Sequence, residues 1–294
     1  MCKTYDDRHL SYYHSNGKLI TDNDLLFERN KYDMENHSGI KVHQYGLFKI
    51  ILMFLWPAVW FSILIYGLAP LFISENAGYT PTWLVIAVSL LGNGAEILVA
   101  IGILRKEGEK ITWNYLKERL DIRWPKAALK GWLIVLGIVS AAFVFTMLLM
   151  PLETEVARTL PPPQWMPDHP LKEIESVQDA FPDVNLLGNF EFIFLNFFVV
   201  NLIFTTFGEE LYYRAVLLPK MRGVFGKYDF IANGIGFTLK HAYFYWRFPK
   251  ILPCSFAFPV VYKVLGLPMV MLLHWLTNME PFSLYEAIKA ALGI

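Results

Sequence analysis

The sequence predicts an all-α fold, a polytopic membrane helix bundle of about six to eight transmembrane helices. Hydrophobic residues make up 55% of the chain and aromatic ones 16%, against 18% charged, which is too apolar for an ordinary soluble domain. Apolar windows of about 20 residues, enough to cross a hydrocarbon core, recur along it. Charge is gathered between those windows, and a backbone inside lipid must satisfy its own hydrogen bonds, so helices are expected and no β-sheet domain.

Residues 1–46 are polar, of mixed charge and rich in Tyr, Asn and His. They read as a mobile or interfacial extension, and the absence of an apolar core with a small-residue cleavage site predicts no signal peptide. Four clear spans follow: Leu47–Ile73, Trp83–Leu104, Gly131–Met150 and Leu186–Leu218, the last longer than one crossing requires. A fifth, Tyr228–Trp246, is aromatic-rich. After Pro249 come two shorter apolar stretches, Ile251–Val264 and Leu267–Asn278, then a terminal segment, Ser283–Ile294. Pro253, Pro259 and Pro268 predict irregularity there, because proline removes a backbone donor. Three regions result: the 1–46 extension, helices and loops over 47–185, and a last region over 186–294.

The connecting segments orient the bundle. The 105–130 loop carries Arg105, Lys106, Lys110, Lys117, Arg119, Arg123, Lys126 and Lys130, whereas 74–82 carries no Lys or Arg. An excess of positive charge marks the cytoplasmic side. The N-terminus, the 105–130 loop and the 219–228 loop are therefore expected in the cytoplasm, with Arg247 and Lys250 on the opposite side running against the rule. The stretch from Lys110 to Trp124 is amphipathic and carries tryptophan, a pattern suited to the membrane surface. Pro161, Pro162 and Pro163 predict an extended external loop over Leu160–Pro170. Cys2 and Cys254 lack a partner pattern, which argues against a disulfide framework or a cysteine zinc site. A formal net charge of zero gives no footing for nucleic-acid binding.

Function is carried by the ionisable groups inside the apolar runs. Glu209, Glu210 and Arg214 end the run over 186–218, and each charge at membrane depth costs about 2.5–3.5 kcal/mol on insertion scales, so a site is the default reading. Glu210 and Arg214 are four apart and share a helical face, whereas Glu209 points about 100° away. One carboxylate is thus expected to be neutralised and its neighbour left free, although a purely structural ion cluster explains the same residues. His241 lies four residues after Phe237, and His274 four before Asn278, placing imidazole and carboxamide side by side. The other five histidines fall in polar segments.

The ordered series Glu209-Glu210-x-x-x-Arg214, Phe237-x-x-x-His241 and His274-x-x-x-Asn278, on successive apolar helices, resembles the CPBP (Abi) family of intramembrane proteases. That family includes CAAX prenyl proteases and bacteriocin-processing or immunity proteins. The resemblance covers roughly Leu186–Glu280, and upstream it extends only to hydropathy. It implies an intramembrane endopeptidase with its catalytic region in 186–294, a bilayer location, and a peptide or membrane-anchored, in some members prenylated, protein substrate. Carried over by position, Glu209 would be the general base for water, assisted by His241. His274 and Asn278 would polarise the scissile carbonyl and stabilise the oxyanion, with Glu210 and Arg214 in support. A low-dielectric cavity suits both roles, because it makes a carboxylate hold a proton more readily and strengthens donors aimed at an oxyanion.

Two cofactor readings stand side by side. Glu209, His241 and His274 would supply three zinc ligands with water in the fourth position. The helical His-Glu-x-x-His signature of soluble zinc proteases is absent, and Asn278 suits an oxyanion better than zinc, so a metal-free glutamate mechanism explains the set equally. Outside proteolysis, intramembrane Glu and His also serve transporters and channels, where Glu96 would join a path, but no inverted repeat is visible. A non-catalytic immunity or scaffold protein is the third alternative.

Overall fold

A computed structural model describes residues 12–13, 19–20, 33–35, 41–73, 82–107, 110–123, 129–160 and 195–278. The fold is an all-α bundle preceded by two short antiparallel hairpins, Tyr12–Tyr13 with Leu19–Ile20 and Asp33–Glu35 with Lys41–His43. The expected Leu160–Pro170 loop beyond Leu160, the Ser283–Ile294 segment and most of the 1–46 extension lie outside the described residues.

Helix α1 (Leu47–Ser62) continues through a π-turn, Ile63–Leu68, and a 3-10 turn, Ala69–Phe72. α2 spans Thr82–Lys106, α3 Trp113–Arg119, α4 Leu129–Leu149 and α5 Leu152–Thr159. The next helix, α6, is irregular: π-turns at Leu195–Thr206 and Glu210–Leu217 flank one α-turn, Phe207–Glu209. α7 (Leu218–Phe225) and α8 (Asp229–Lys240) follow, then a 3-10 segment, His241–Arg247, and finally α9 (Phe248–Leu265) and α10 (Leu267–Asn278). Among the described residues, four stretches are long and apolar enough to cross a membrane: Leu47–Phe72, Thr82–Lys106, Leu129–Leu149 and the subdivided Phe198–Leu265.

The charge distribution runs opposite to that of a soluble domain. Glu96, Arg119, Glu210, Arg214 and Lys240 are completely buried. On α4, meanwhile, Leu129, Leu133, Leu136, Phe145 and Leu148 all face outward. Exposed apolar helix faces around a charged interior are what a bilayer solvent selects. α9 packs against α4 and α8, and α6 against α2. The core joins Tyr212, Tyr213, Leu217 and Met221 to Phe237, Phe258, Val261 and Leu267.

Irregular backbone is stabilised by side chains from other helices. Pro57 has no N–H to offer the Met53 carbonyl one turn earlier, and the Tyr212 hydroxyl donates to that carbonyl at 2.8 Å instead. Two carbonyls of the Glu210–Leu217 π-turn are capped likewise: Asn233 Nδ2 donates to Tyr213 O at 2.9 Å, and Arg119 Nη1 to Ala215 O at 2.8 Å. The irregularity expected from Pro253 and Pro259 does not occur, since α9 runs through both as one helix. Neighbouring helices and Ser or Thr side chains make such prolines tolerable in membrane helices. The break falls at Gly266 (φ 84°), where the Leu267 N–H donates to Asp121 O at 3.1 Å. A Cβ at Gly266 would lie 2.7 Å from that oxygen, so only glycine permits the approach that sets α10.

The charged loops share one end of the bundle. Thr112 caps α3 by accepting from the Tyr115 N–H at 3.2 Å. At the other end of α3, Arg119 donates to both Glu107 oxygens at 2.8 Å, and Lys220 Nζ pairs with Glu107 Oε1 at 2.7 Å. Tyr45 N–H donates to Lys220 O at 2.9 Å, which brings the end of the N-terminal extension to the same place. Trp113 is left 65% exposed, as the amphipathic pattern predicts for a surface-lying helix.

Candidate functional site

The irregular helix α6 delivers Glu209 and Glu210 side by side, one at the end of an α-turn and the next at the start of a π-turn. Gly208 permits this helix to approach α2 closely: a Cβ there would lie 3.2 Å from Asn93 O and from Ile97. Both carboxylates meet His274 of α10. His274 Nδ1 lies 2.6 Å from Glu210 Oε1, and Nε2 lies 3.5 Å from Glu209 Oε2. With Nδ1–H donating to Glu210, Nε2 is the atom turned toward Glu209.

Arg214 pairs with Glu210 at 3.4 Å, on the face that the four-residue spacing predicts. Among the described residues it makes no hydrogen bond through any guanidinium nitrogen. Its main contact is instead a cation–π one, with Cζ 3.8 Å from the centre of the Phe237 ring. Phe237 also meets the rings of His241 (4.9 Å) and His274 (6.1 Å) edge-on. The phenylalanine of the Phe-x-x-x-His motif is therefore the apolar post around which the polar groups are placed. Phe258 stacks on the other ring at 4.5 Å and fixes the His274 plane.

His241 begins the 3-10 segment directly after α8, and its Nδ1 lies 2.8 Å from Phe237 O. A carbonyl only accepts, so Nδ1 carries the proton and Nε2 keeps a lone pair. Among the described residues no hydrogen bond joins His241 to Glu209. Asn278 donates through Nδ2 to Asn201 Oδ1 at 3.4 Å, one turn along α10 from His274. The structure thus brings Glu209, Glu210, Arg214 and His274 into direct contact. His241 is attached through Phe237, and Asn278 through the helix they share.

Glu209 differs from the sequence expectation in one respect, since it is not left without a counter-ion. Lys240, completely buried, places Nζ 2.6 Å from Glu209 Oε1 and 3.2 Å from Glu96 Oε1. Tyr213 donates its hydroxyl to that Glu96 oxygen at 2.8 Å. Spacing arguments reach three or four residues, and the Lys240–Glu96 pair spans 144. A lysine inside the apolar 228–246 run, next to His241, is nonetheless as expensive as the flagged carboxylates, and that was the available signal.

Zinc is the metal that two imidazoles and a carboxylate would suit. The Nε2 atoms of His241 and His274 keep the orientation of ligands whose other nitrogen is held. Yet the third donor, Glu209, carries an ammonium at 2.6 Å, and among the described residues no three His, Cys, Asp or Glu side chains form a group that could hold a metal ion. As arranged, these residues do not fit zinc.

Residues 191–279 match the family model described as Rce1-like, Type II CAAX prenyl endopeptidase Rce1-like. Over that segment, which is less than half of the chain, the sequence is similar to CAAX-type prenyl endopeptidases. The segment contains every site residue named from the motifs, whereas Glu96 lies outside it. No curated protein and no solved structure matches the chain.

Proposed function

We propose that the protein is an intramembrane endopeptidase that cleaves a membrane-anchored CAAX-type prenylated protein, with Glu209 activating the attacking water. The observation that carries the reading is the buried Glu209–His274–Glu210 contact, at 3.5 and 2.6 Å, inside the Rce1-like segment. Glu209 takes a proton from water, and the resulting hydroxide adds to the scissile carbonyl carbon. His274, protonated at both nitrogens, gives Nδ1–H to Glu210 and offers Nε2–H, together with the Asn278 carboxamide, to the developing oxyanion. As the scissile C–N bond breaks, the proton taken up by Glu209 passes to the leaving amine, with the open Nε2 of His241 as the assisting base. Each such donor or base is worth about 10²–10⁴-fold when preorganised in a site from which water is scarce. No step is routed through a metal.

The charged end of the bundle, with the 105–123 and 219–228 segments and the N-terminal extension, faces the cytoplasm in this reading, in keeping with its Lys and Arg content. The test is cleavage of a quenched-fluorescent farnesylated peptide ending in a CAAX box by the full chain in proteoliposomes. Wild type should cleave it, and Glu209→Ala and His274→Ala should each lose at least about 10²-fold. Wild-type cleavage by both variants would remove the assignment.

A further inference from the structure

Glu96 and Lys240 are left over from the chemistry just described, yet they are the most completely buried charges beside it. Lys240 is the last residue of α8, directly before His241, so it lies where α8 gives way to the 3-10 segment. The ammonium is surrounded by the rings of Phe61, Tyr213 and Phe237, with centroids 5.1–5.4 Å away, and has no water-facing direction in which to relax. A cation in such surroundings persists only with close counter-charges. It has two. Glu209 Oε1 and Glu96 Oε1 lie 2.6 and 3.2 Å from Nζ.

The geometry of the two carboxylates is unequal in an informative way. Glu96 is fixed from a second direction by the Tyr213 hydroxyl, and Tyr213 belongs to the same α6 turn that carries Glu209. Glu209 uses one oxygen for Lys240 and leaves the other facing His274 Nε2. Lys240 thus decides which Glu209 oxygen turns toward the histidine, and Glu96 decides where Lys240 sits. Glu209 is thus oriented by an ammonium that it shares with Glu96.

Resting on the protease reading above, we infer that Lys240 is a positioning residue for Glu209 and that Glu96, contributed by α2 from outside the Rce1-like segment, is the anchor that holds Lys240 in place. The site is then a joint product of the N-terminal helices and the matched segment. α2 contributes an electrostatic fixture as well as packing. Misplacing a reacting group by about 1 Å costs about 10²-fold in rate, and this sets the effect to be sought.

The experiment is a double-mutant cycle, Lys240→Met, Glu96→Gln and the pair, on the full chain in proteoliposomes, with the farnesylated CAAX peptide as probe. kcat is expressed per folded enzyme, from the fraction surviving a thermal challenge. Expected is a fall in kcat of about 10–100-fold for Lys240→Met with KM within about twofold. A smaller fall is expected for Glu96→Gln, and a double variant no slower than Lys240→Met alone, because the anchor has nothing left to hold. A merely structural role would lower the folded fraction and leave kcat per folded enzyme unchanged, and that result overturns the inference. Effects that multiply in the double variant overturn it too. Where Lys240→Met does not fold, Glu96→Gln decides: a lowered kcat at constant KM supports the anchor, an unchanged kcat refutes it. Failure of the wild type to cleave the probe would count against the protease reading instead.

Discussion

Replacing Arg119 with methionine isolates the device that ties the surface helix α3 to the site-bearing helix α6. The guanidinium donates to both Glu107 oxygens at 2.8 Å and to Ala215 O at 2.8 Å, and it is completely buried. Methionine keeps most of the aliphatic volume and removes all three bonds. A buried pair that loses one partner costs about 3–5 kcal/mol. Here Lys220 remains on Glu107 at 2.7 Å, so the carboxylate keeps one counter-ion and the lower figure applies. The Ala215 carbonyl, within the Glu210–Leu217 π-turn, loses the guanidinium's donation, adding about 1 kcal/mol. Some of this returns because chains unfolded in detergent find other partners. The expected loss is about 3 kcal/mol, a folded-to-unfolded ratio lower by about 10²-fold. The assay is reversible unfolding in mixed micelles followed by tryptophan fluorescence. Lys117→Met, on the exposed side of α3, is the control and should stay within about 0.5 kcal/mol. An Arg119→Met change as small as the control's would falsify the claim that Arg119 clamps α6.

Burial raises the Glu107 carboxyl, but hydrogen bonds and charge from Arg119 and Lys220 outweigh it and hold the group down to about 2, against an ordinary 4.5. A depressed carboxylate stabilises fully above the ordinary value and loses its contribution as pH falls toward the folded one. Wild-type stability should therefore decline between pH 4.5 and about 2, and Glu107→Gln should flatten that decline in the same micelle assay. Gly266→Ala forces a side chain into a left-handed φ of 84° with its Cβ 2.7 Å from Asp121 O. It should cost at least about 1–2 kcal/mol in thermal unfolding and lower kcat through α10, and an unaltered variant would show that the α9–α10 break tolerates any residue. Treatment with 1,10-phenanthroline or EDTA should leave peptide cleavage intact. Activity abolished by chelator and restored by added zinc would overturn the metal-free chemistry.

What was legible in the sequence follows from how far each signal reaches. Helix positions came from local hydropathy: the expected Leu47–Ile73 and Trp83–Leu104 spans are the helices ending at Phe72 and Lys106. The Glu210–Arg214 contact came from helical spacing, and it holds although the turn there is wider than an α-turn. The backbone irregularities were misplaced. Proline predicts a break, yet α9 runs straight through Pro253 and Pro259. The π-turns of α6 depend on Asn233, Arg119 and the packing of α2, partners that no local pattern announces.

The same limit explains why Glu209 was expected to be unpaired. Within one helix, Arg214 can neutralise only one of two adjacent carboxylates, and that much is true of the structure. A membrane interior does not permit the other to stand alone, however, because an isolated ionised carboxylate there is prohibitively costly. A counter-ion had to come from elsewhere in the bundle, and an unassigned lysine within an apolar run was the candidate in the sequence. Lys240 supplies it, and the same ammonium also meets Glu96 of α2. Desolvation thus spreads the polar cluster beyond one helix, because a buried charge draws partners from elements that the motif does not include. A short motif reports where such a cluster begins, and the charges in neighbouring apolar helices show how far it spreads.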